Sequence, residues 1–295
     1  MWPTNKILMI RPASFGYNTE TALTNSFQHV ENDGEAQNAL FEFDQMVQQL
    51  QQHGIDVMVI NDTIQPKKPD AIFPNNWFST HKDGSCILYP MLHQNRRIER
   101  RADIIQQVCK NSNKLTDLSY LENENLFLEG TGSLVIDHEF NLAYAAISPR
   151  TCLAALTVFE EKIGLKIIPF YAFDRALQPI YHTNVVMAIT PKNAIICLDV
   201  IPKADQEKLL QSFAQSNKEV IEISIQQLEN FAGNMLCLKN SQNKNVLVMS
   251  FTAFDSLNVV QLNALKKHHQ IIRIPIPSIE KIGGGSVRCM MAELF

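Results

Sequence analysis

Short apolar runs alternate with longer amphipathic stretches along the whole chain, and the alternation itself repeats. Runs rich in β-branched residues, such as KILMI (6–10), IDVMVI (55–60), KIIPF (166–170) and QIIRIPI (270–276), read as strands. Apolar residues at helical spacing predict helices over Glu35–His53, Arg97–Cys109, Arg150–Lys162, Ala204–Gln215 and Asp255–His268, with Gly54 and Gly164 as stops after the first and third. Five segments place small or polar residues just ahead of an apolar run: NNWFST from 75, TGSLVI from 131, TNVVMA from 183, GNMLCL from 233 and GSVRCM from 285. Their spacings are 56, 52, 50 and 52 residues. Between them the same parts recur, a second strand, a helix and a third strand, so the repeating unit is strand–strand–helix–strand.

The fifth segment is followed by none of the later parts, whereas the stretch before Asn61 supplies all three. The pattern therefore predicts that the C-terminal strand pairs with the first one and closes a ring of five units, a single α/β domain over residues 1–295. Closure removes exposed sheet edges and turns the five first segments toward a common axis. There they contribute Asn75 and Asn76, Glu129, His182 with Asn184, Asn234, and Ser286, Arg288 and Cys289. One thiol, one imidazole and one carboxylate from three repeats form the set that covalent catalysis requires: a nucleophile, a proton carrier and a group that orients it. Taken singly, each has an ordinary explanation. A free cysteine is usually a buried small hydrophobe, a histidine can be a satisfied core residue, and Glu129 could belong to a turn beside Gly130. Their placement at related positions of the repeat favours chemistry. A serine nucleophile is disfavoured because Cys289 is the nucleophile beside the glycines at 283–285. One histidine and one carboxylate fall short of a metal ligand set. GGGS at 283–286 lacks the Lys-Ser/Thr and following helix of a phosphate loop, so its glycines read as permitting close backbone approach to a ligand. Arg288 is expected on the opposite strand face from Cys289. That leaves His182, as an imidazolium or as a base once substrate binds, to activate the thiol.

Composition narrows the field. Apolar residues at 45% and charged residues at 19% are those of an ordinary globular chain. A net charge of −4, with no basic block, argues against a nucleic-acid or anionic-membrane surface. No stretch approaches the ~18 apolar residues of a membrane span, and the apolar core before Arg11 is too short for a signal peptide, so a cytoplasmic location is expected. The six cysteines, at 86, 109, 152, 197, 237 and 289, form no zinc-type cluster and are expected to be reduced.

LEGTG (128–132), YHTN (181–184) and GGGSVRC (283–289) resemble motifs of the guanidino-group-modifying enzymes. That superfamily comprises arginine deiminases, dimethylarginine dimethylaminohydrolases and amidinotransferases. The resemblance covers essentially the whole chain. MIRPASFGYNTET and FPNNWFSTH most resemble a bacterial subgroup regarded as citrulline-utilisation hydrolases. The resemblance implies the pentein fold, a five-bladed α/β propeller of ββαβ repeats with pseudo-fivefold symmetry, and a cysteine-dependent hydrolase of non-peptide C–N bonds. It implies catalytic roles for Cys289, His182 and Glu129. It also implies substrate contacts from Asp70, and carboxylate-holding arginines at Arg150 and Arg97, whose planar forks suit that task. Where relatives that hold a cationic guanidinium use aspartates, this chain has Asn76, Gly132 and Asn184. Asparagine both donates and accepts, which suits a neutral ureido group, so citrulline is the expected substrate, with ornithine, ammonia and carbon dioxide as products. Arginine or methylarginine hydrolysis, amidino transfer, and a catalytically idle binding protein are the alternatives. The expected partner is a small amino acid; no metal and no organic cofactor is expected. The polar segment from Tyr17 to Gly34, outside the repeat, is a candidate lid.

Overall fold

The computed structural model describes residues 2–30, 34–110 and 112–295. Among these, the strands assemble into five three-stranded sheets. The first contains Ala292–Leu294, Lys6–Arg11 and Asp56–Asn61; the second, Phe78–Thr80, Ser85–Leu88 and Lys114–Asp117. The third contains Val135–Asp137, Leu142–Ile147 and Lys166–Tyr171; the fourth, Met187–Ile189, Asn193–Ile196 and Glu219–Glu222; the fifth, Leu236–Lys239, Asn245–Ser250 and Gln270–Ile274. In every sheet the central strand runs antiparallel to its short first neighbour and parallel to the third. A parallel pair needs a crossover, and helices over Glu35–Gln52, Ala102–Val108, Leu153–Ile163, Lys203–Gln215 and Val259–Lys266 lie in these connections. Their apolar faces pack on the sheets. In the longest, Ala39, Phe43, Met46 and Leu50 are fully buried at helical spacing.

The two ends of the chain share one sheet, with Lys6 opposite Leu294 and Leu8 opposite Ala292. Thr4 and Thr80 hydroxyls donate to the carbonyls of Leu294 and Glu293 and secure the strand on both sides. Three of the short first strands meet the next sheet's equivalent: Ala292–Leu294 packs on Phe78–Thr80, Val135–Asp137 on Met187–Ile189, and Met187–Ile189 on Leu236–Lys239. The second and third sheets meet through one-turn helices, Pro74–Asn76 and Gly130–Ser133. The fifth returns to the first through Glu35–Gln52, which packs on Gln270–Ile274.

Several details differ from expectation. The helix expected over Arg97–Cys109 is split into Gln94–Arg97 and Ala102–Val108. The helical run expected over Asp255–His268 is broken into Phe251–Ser256 and Val259–Lys266, because the Asn258 and Gln261 side chains form a capping box that starts a new helix. Cys86 and Cys109 pair as a disulfide, with Cα atoms 6.0 Å apart, which corrects the expectation that all six thiols are free. The helix ending at Val108 folds back on the strand Ser85–Leu88, a tertiary contact that a 23-residue spacing does not reveal.

Candidate active site

Three of the repeated segments begin with a turn of helix before they become strands, and the last two begin in a non-helical turn. Glu129 and His182 are the N-cap residues of Gly130–Ser133 and Thr183–Val186, with backbone dihedrals outside the helical range. Their side chains cap nothing and instead meet each other: His182 Nε2 lies 2.9 Å from Glu129 Oε2. Cys289 sits in the turn Val287–Met290, three residues short of its strand. This corrects its expected place on a strand. Arg288 does turn away from the sulfur. Its guanidinium donates to the Met291 carbonyl and to Glu293.

Cys289, His182, Asn76, Asp70 and Arg150 line one small cavity of ≈ 20 Å³, together with Arg96, Tyr181 and Phe73. Glu129 is wholly buried behind His182, its other oxygen accepting the Leu92 N–H at 3.1 Å. Asn184 and Asn234 complete the surroundings of the sulfur, their Nδ2 atoms 3.4 and 3.3 Å from Sγ. Gly132, at the repeat position held elsewhere by Asn76, Asn184, Asn234 and Ser286, cannot carry a side chain here. A Cβ would stand 2.5 Å from Asn76 Nδ2 and 2.8 Å from the His182 ring.

Arg97 lies outside this cavity. Its guanidinium donates to the Met91 and Leu92 carbonyls and faces Glu122. Its neighbour Arg96 lines the cavity instead, held bidentately by Glu99 at 2.9 and 2.8 Å and donating to Asn76 Oδ1 at 2.7 Å. The sequence offers two adjacent arginines, and the orientation of the single turn Gln94–Arg97 decides between them. Asp70 faces Arg96 at 3.8 Å, and Arg150 faces Glu129 at 3.6 Å while stacking on the Tyr181 ring.

The described part of the segment 17–34 closes over this cavity; residues 31–33 lie outside the described residues. Asn18 and Thr21 donate to Asp70, while Arg150 donates to the Thr21 carbonyl and the Thr24 hydroxyl. Asn25 reaches the Gly284 carbonyl. None of these contacts has a sequence signal beyond the polarity of the segment.

Electrostatics set the resting protonation. Burial alone would raise the Glu129 carboxyl, but Arg150 and His182, with Arg96 behind them, outweigh it and hold Glu129 well below the usual carboxylate range. Burial drives His182 down to about 4 despite its bond to Glu129, so its imidazole is neutral near pH 7. Burial also pushes the Cys289 thiol up, opposed by the Asn234 amide, the Ser286 backbone and the Asn184 amide, in that order. The resting pair is thus neutral thiol and neutral imidazole. Among the described residues no group of three or more His, Cys, Asp or Glu is placed to hold a metal ion, and no helix is long and apolar enough to cross a membrane.

The chain matches, over residues 11–295, a family model described as N,N dimethylarginine dimethylhydrolase, eukaryotic. A comparison with curated proteins returned no match. Among solved structures, the N-terminal domain of ArgZ, an arginine dihydrolase from the ornithine–ammonia cycle in cyanobacteria, has a TM-score of 0.78 at 14% identity. That match covers 98% of this chain and 97% of the domain. The DDAH from Pseudomonas aeruginosa, solved with citrulline, has a TM-score of 0.70 at 17% identity, covering 98% of both chains. Unliganded AgrE has a TM-score of 0.75 at 17% identity, with 98% of this chain and 39% of AgrE covered. This chain spans about 40% of the full ArgZ chain. At such identities the structural likeness shows the fold, and the family rests on the near-complete match of the family model. With that match, the chain belongs to the dimethylarginine dimethylaminohydrolase family of the guanidino-group-modifying superfamily.

Proposed function

We propose that this protein hydrolyses a non-peptide C–N bond in a ureido or guanidino amino acid through a covalent intermediate on Cys289, with citrulline as substrate and ornithine, ammonia and carbon dioxide as products. We further infer that its five sheets are the blades of a pentein propeller with pseudo-fivefold symmetry, one domain over residues 1–295. The observation that carries the functional reading is the Glu129–His182 hydrogen bond at 2.9 Å in one buried site with the Cys289 thiol. Cys289 attacks the ureido carbon as its proton passes to the neutral imidazole of His182. His182 then protonates the departing nitrogen, and later deprotonates the water that releases the S-linked carbamoyl group. Glu129 stabilises the imidazolium formed in each step and fixes the ring.

The preference for a ureido group follows from charge matching. Asp70 and Glu129 already stand against Arg96 and Arg150. A guanidinium would therefore enter beside carboxylates that are spoken for, at the desolvation cost of a buried cation. Asp70 Oδ1 and Asn184 Oδ1 are buried acceptors without protein partners, able to take N–H groups of a neutral substrate. Asn76 lines the same cavity, with its Oδ1 accepting from Arg96 and its Nδ2 donating to Asn75 Oδ1. Arg150, with Arg96 in the place expected for Arg97, is assigned the substrate α-carboxylate. The carboxylate would displace the Thr21 carbonyl and Thr24 hydroxyl from Arg150, so the covering segment must open for entry.

A second reading, cleavage of arginine, is favoured by the similarity to ArgZ, an arginine dihydrolase. Incubating the pure protein with citrulline, arginine and dimethylarginine, while measuring ornithine, citrulline and ammonia, separates the two. Ornithine and ammonia from citrulline, but no product from the guanidines, is the expected result. Turnover of arginine alone would replace the first reading by the second.

A further inference from the structure

The sulfur of Cys289 has two amide neighbours, and their situations differ. Asn184 donates through Nδ2 at 3.4 Å, and its Oδ1 is buried without a partner, so only the sulfur contact orients the amide. Asn234 is held on both sides. Its Oδ1 accepts the backbone N–H of Arg288 at 3.0 Å, and its Nδ2 donates to the backbone carbonyl of Asn184 at 2.9 Å as well as lying 3.3 Å from Sγ. An amide facing a fixed N–H donor on one side and a fixed carbonyl on the other has one sensible orientation, with oxygen toward the donor. The N–H edge of Asn234 therefore faces the sulfur at all times. Gly233 makes this placement possible, because a Cβ there would run into the Val185 carbonyl.

A thiol is a poor hydrogen-bond acceptor and a thiolate a good one, so an amide locked as a donor favours the charged form. The Ser286 backbone also favours the charged sulfur, to a smaller extent than Asn234, and the remaining side chains act less directly. Arg288 turns its guanidinium to Glu293, His182 is uncharged at rest, and Tyr181 gives its hydroxyl proton to the Gly284 carbonyl. We propose that Asn234 is a catalytic residue, the fixed donor that stabilises the Cys289 thiolate, and that Asn184 is thereby left to turn its amide between sulfur and substrate. This rests on the reading of Cys289 as nucleophile.

The test is a titration of the Cys289 thiolate by its ultraviolet absorbance, taken as the difference between each protein and the same protein carrying Cys289→Ser. It needs no substrate. Replacing Asn234 by Ala or Asp should raise the midpoint by about one pH unit or more, the effect of losing one hydrogen bond to a charged group. Asn184→Ala should move it by less. Turnover in the Asn234 variants should fall in kcat with KM retained. Asn234→Ala orphans the Arg288 N–H and the Asn184 carbonyl. If it fails to fold, Asn234→Asp, which keeps the acceptor for Arg288, is compared with Asn184→Asp, which brings the same charge to the sulfur without removing the fixed donor. A midpoint moved no further by Asn234→Asp than by Asn184→Asp, or moved as far by Asn184→Ala as by Asn234→Ala, overturns the proposal. Failure of every ureido and guanidino substrate would leave the titration result standing, and an unmoved midpoint would leave the hydrolase reading standing.

Discussion

A neutral thiol beside a neutral imidazole is a resting state that needs substrate to separate its charges, and this fixes what substitutions and pH should do. Cys289→Ser is nearly isosteric in a site 3% exposed, so folding should survive while turnover disappears, because a hydroxyl ionises far less readily than a thiol. Near-normal turnover by this variant, measured as ammonia release, would remove covalent catalysis at this position. The pH profile follows with its sign. His182 is neutral down to about 4, so protonating it cannot limit activity near neutrality. Because both reacting groups start neutral, kcat/KM for citrulline should rise through about pH 4 as His182 loses its proton and hold level across neutrality. It should fall only in the alkaline range, where ionisation of Cys289 removes the proton that His182 passes to the departing nitrogen. A rising limb with its midpoint near pH ~6.5 would mean that the imidazole titrates unperturbed. Glu129, His182 and Cys289 were legible in the sequence because each sits at a related point of a repeat and each is a residue type with chemistry. Arg96 was not, since nothing in NRRI says which arginine a single helical turn aims inward.

At the scale of the element, the informative unit is the one-turn helix that precedes three of the five short strands. Read by periodicity alone, NNWFST, TGSLVI and TNVVMA are polar lead-ins to strands, and four residues are too few to show a 3.6-residue period. The turn nevertheless decides which way Asn76, Glu129 and His182 point. Gly132 lies inside one such turn, at a backbone conformation open to other residues, and its restriction comes from neighbours alone. Gly132→Ala should therefore leave the helix intact but press on the His182 ring and Asn76 amide. The ring is pinned by Glu129 and must move off it, so we expect kcat to fall at least a hundredfold, since misplacing a reacting group by about 1 Å costs that much. The thermal midpoint should change by only a few degrees. Wild-type kcat in this variant would show that the imidazole position is not critical. The broken helix after Ser250 teaches a related lesson: Asn258 and Gln261 are readable as a cap, but the apolar pattern runs through them and hides the break.

For the whole molecule, the ~50-residue period gave the sheet content and the pairing of the chain ends, because every unit must bury the same faces against its neighbours. It could not show the Cys86–Cys109 pairing or the cover formed by Asn18, Thr21 and Thr24, which depend on contacts between units and on a segment outside the repeat. The repeat's burial has a further consequence for stability. His81, His93 and His182 are driven to about 4 and His138 to about 3, with burial the first cause in each, and His269 is also lowered by burial. In the unfolded chain these groups titrate near ~6.5. Between those limits the unfolded state binds more protons, so the stability these histidines contribute is present above pH ~6.5 and lost as pH falls toward 4. Three carboxyls act in the opposite sense: burial raises Glu99 to about 7 and also raises Glu280 and Glu293. Their contribution is complete below the unfolded carboxyl value of ~4.3 and is lost as pH rises through the folded value. Five histidines against three carboxyls leave a net uptake of protons on unfolding, so the thermal midpoint should fall steadily from pH 7 to pH 4. Replacing His138, which packs on Phe295 of the closing strand rather than on the catalytic groups, with Phe should flatten that fall without altering its direction. A midpoint that stays level or rises on acidification would show that the carboxyls dominate and that the histidines are protonated inside the folded chain.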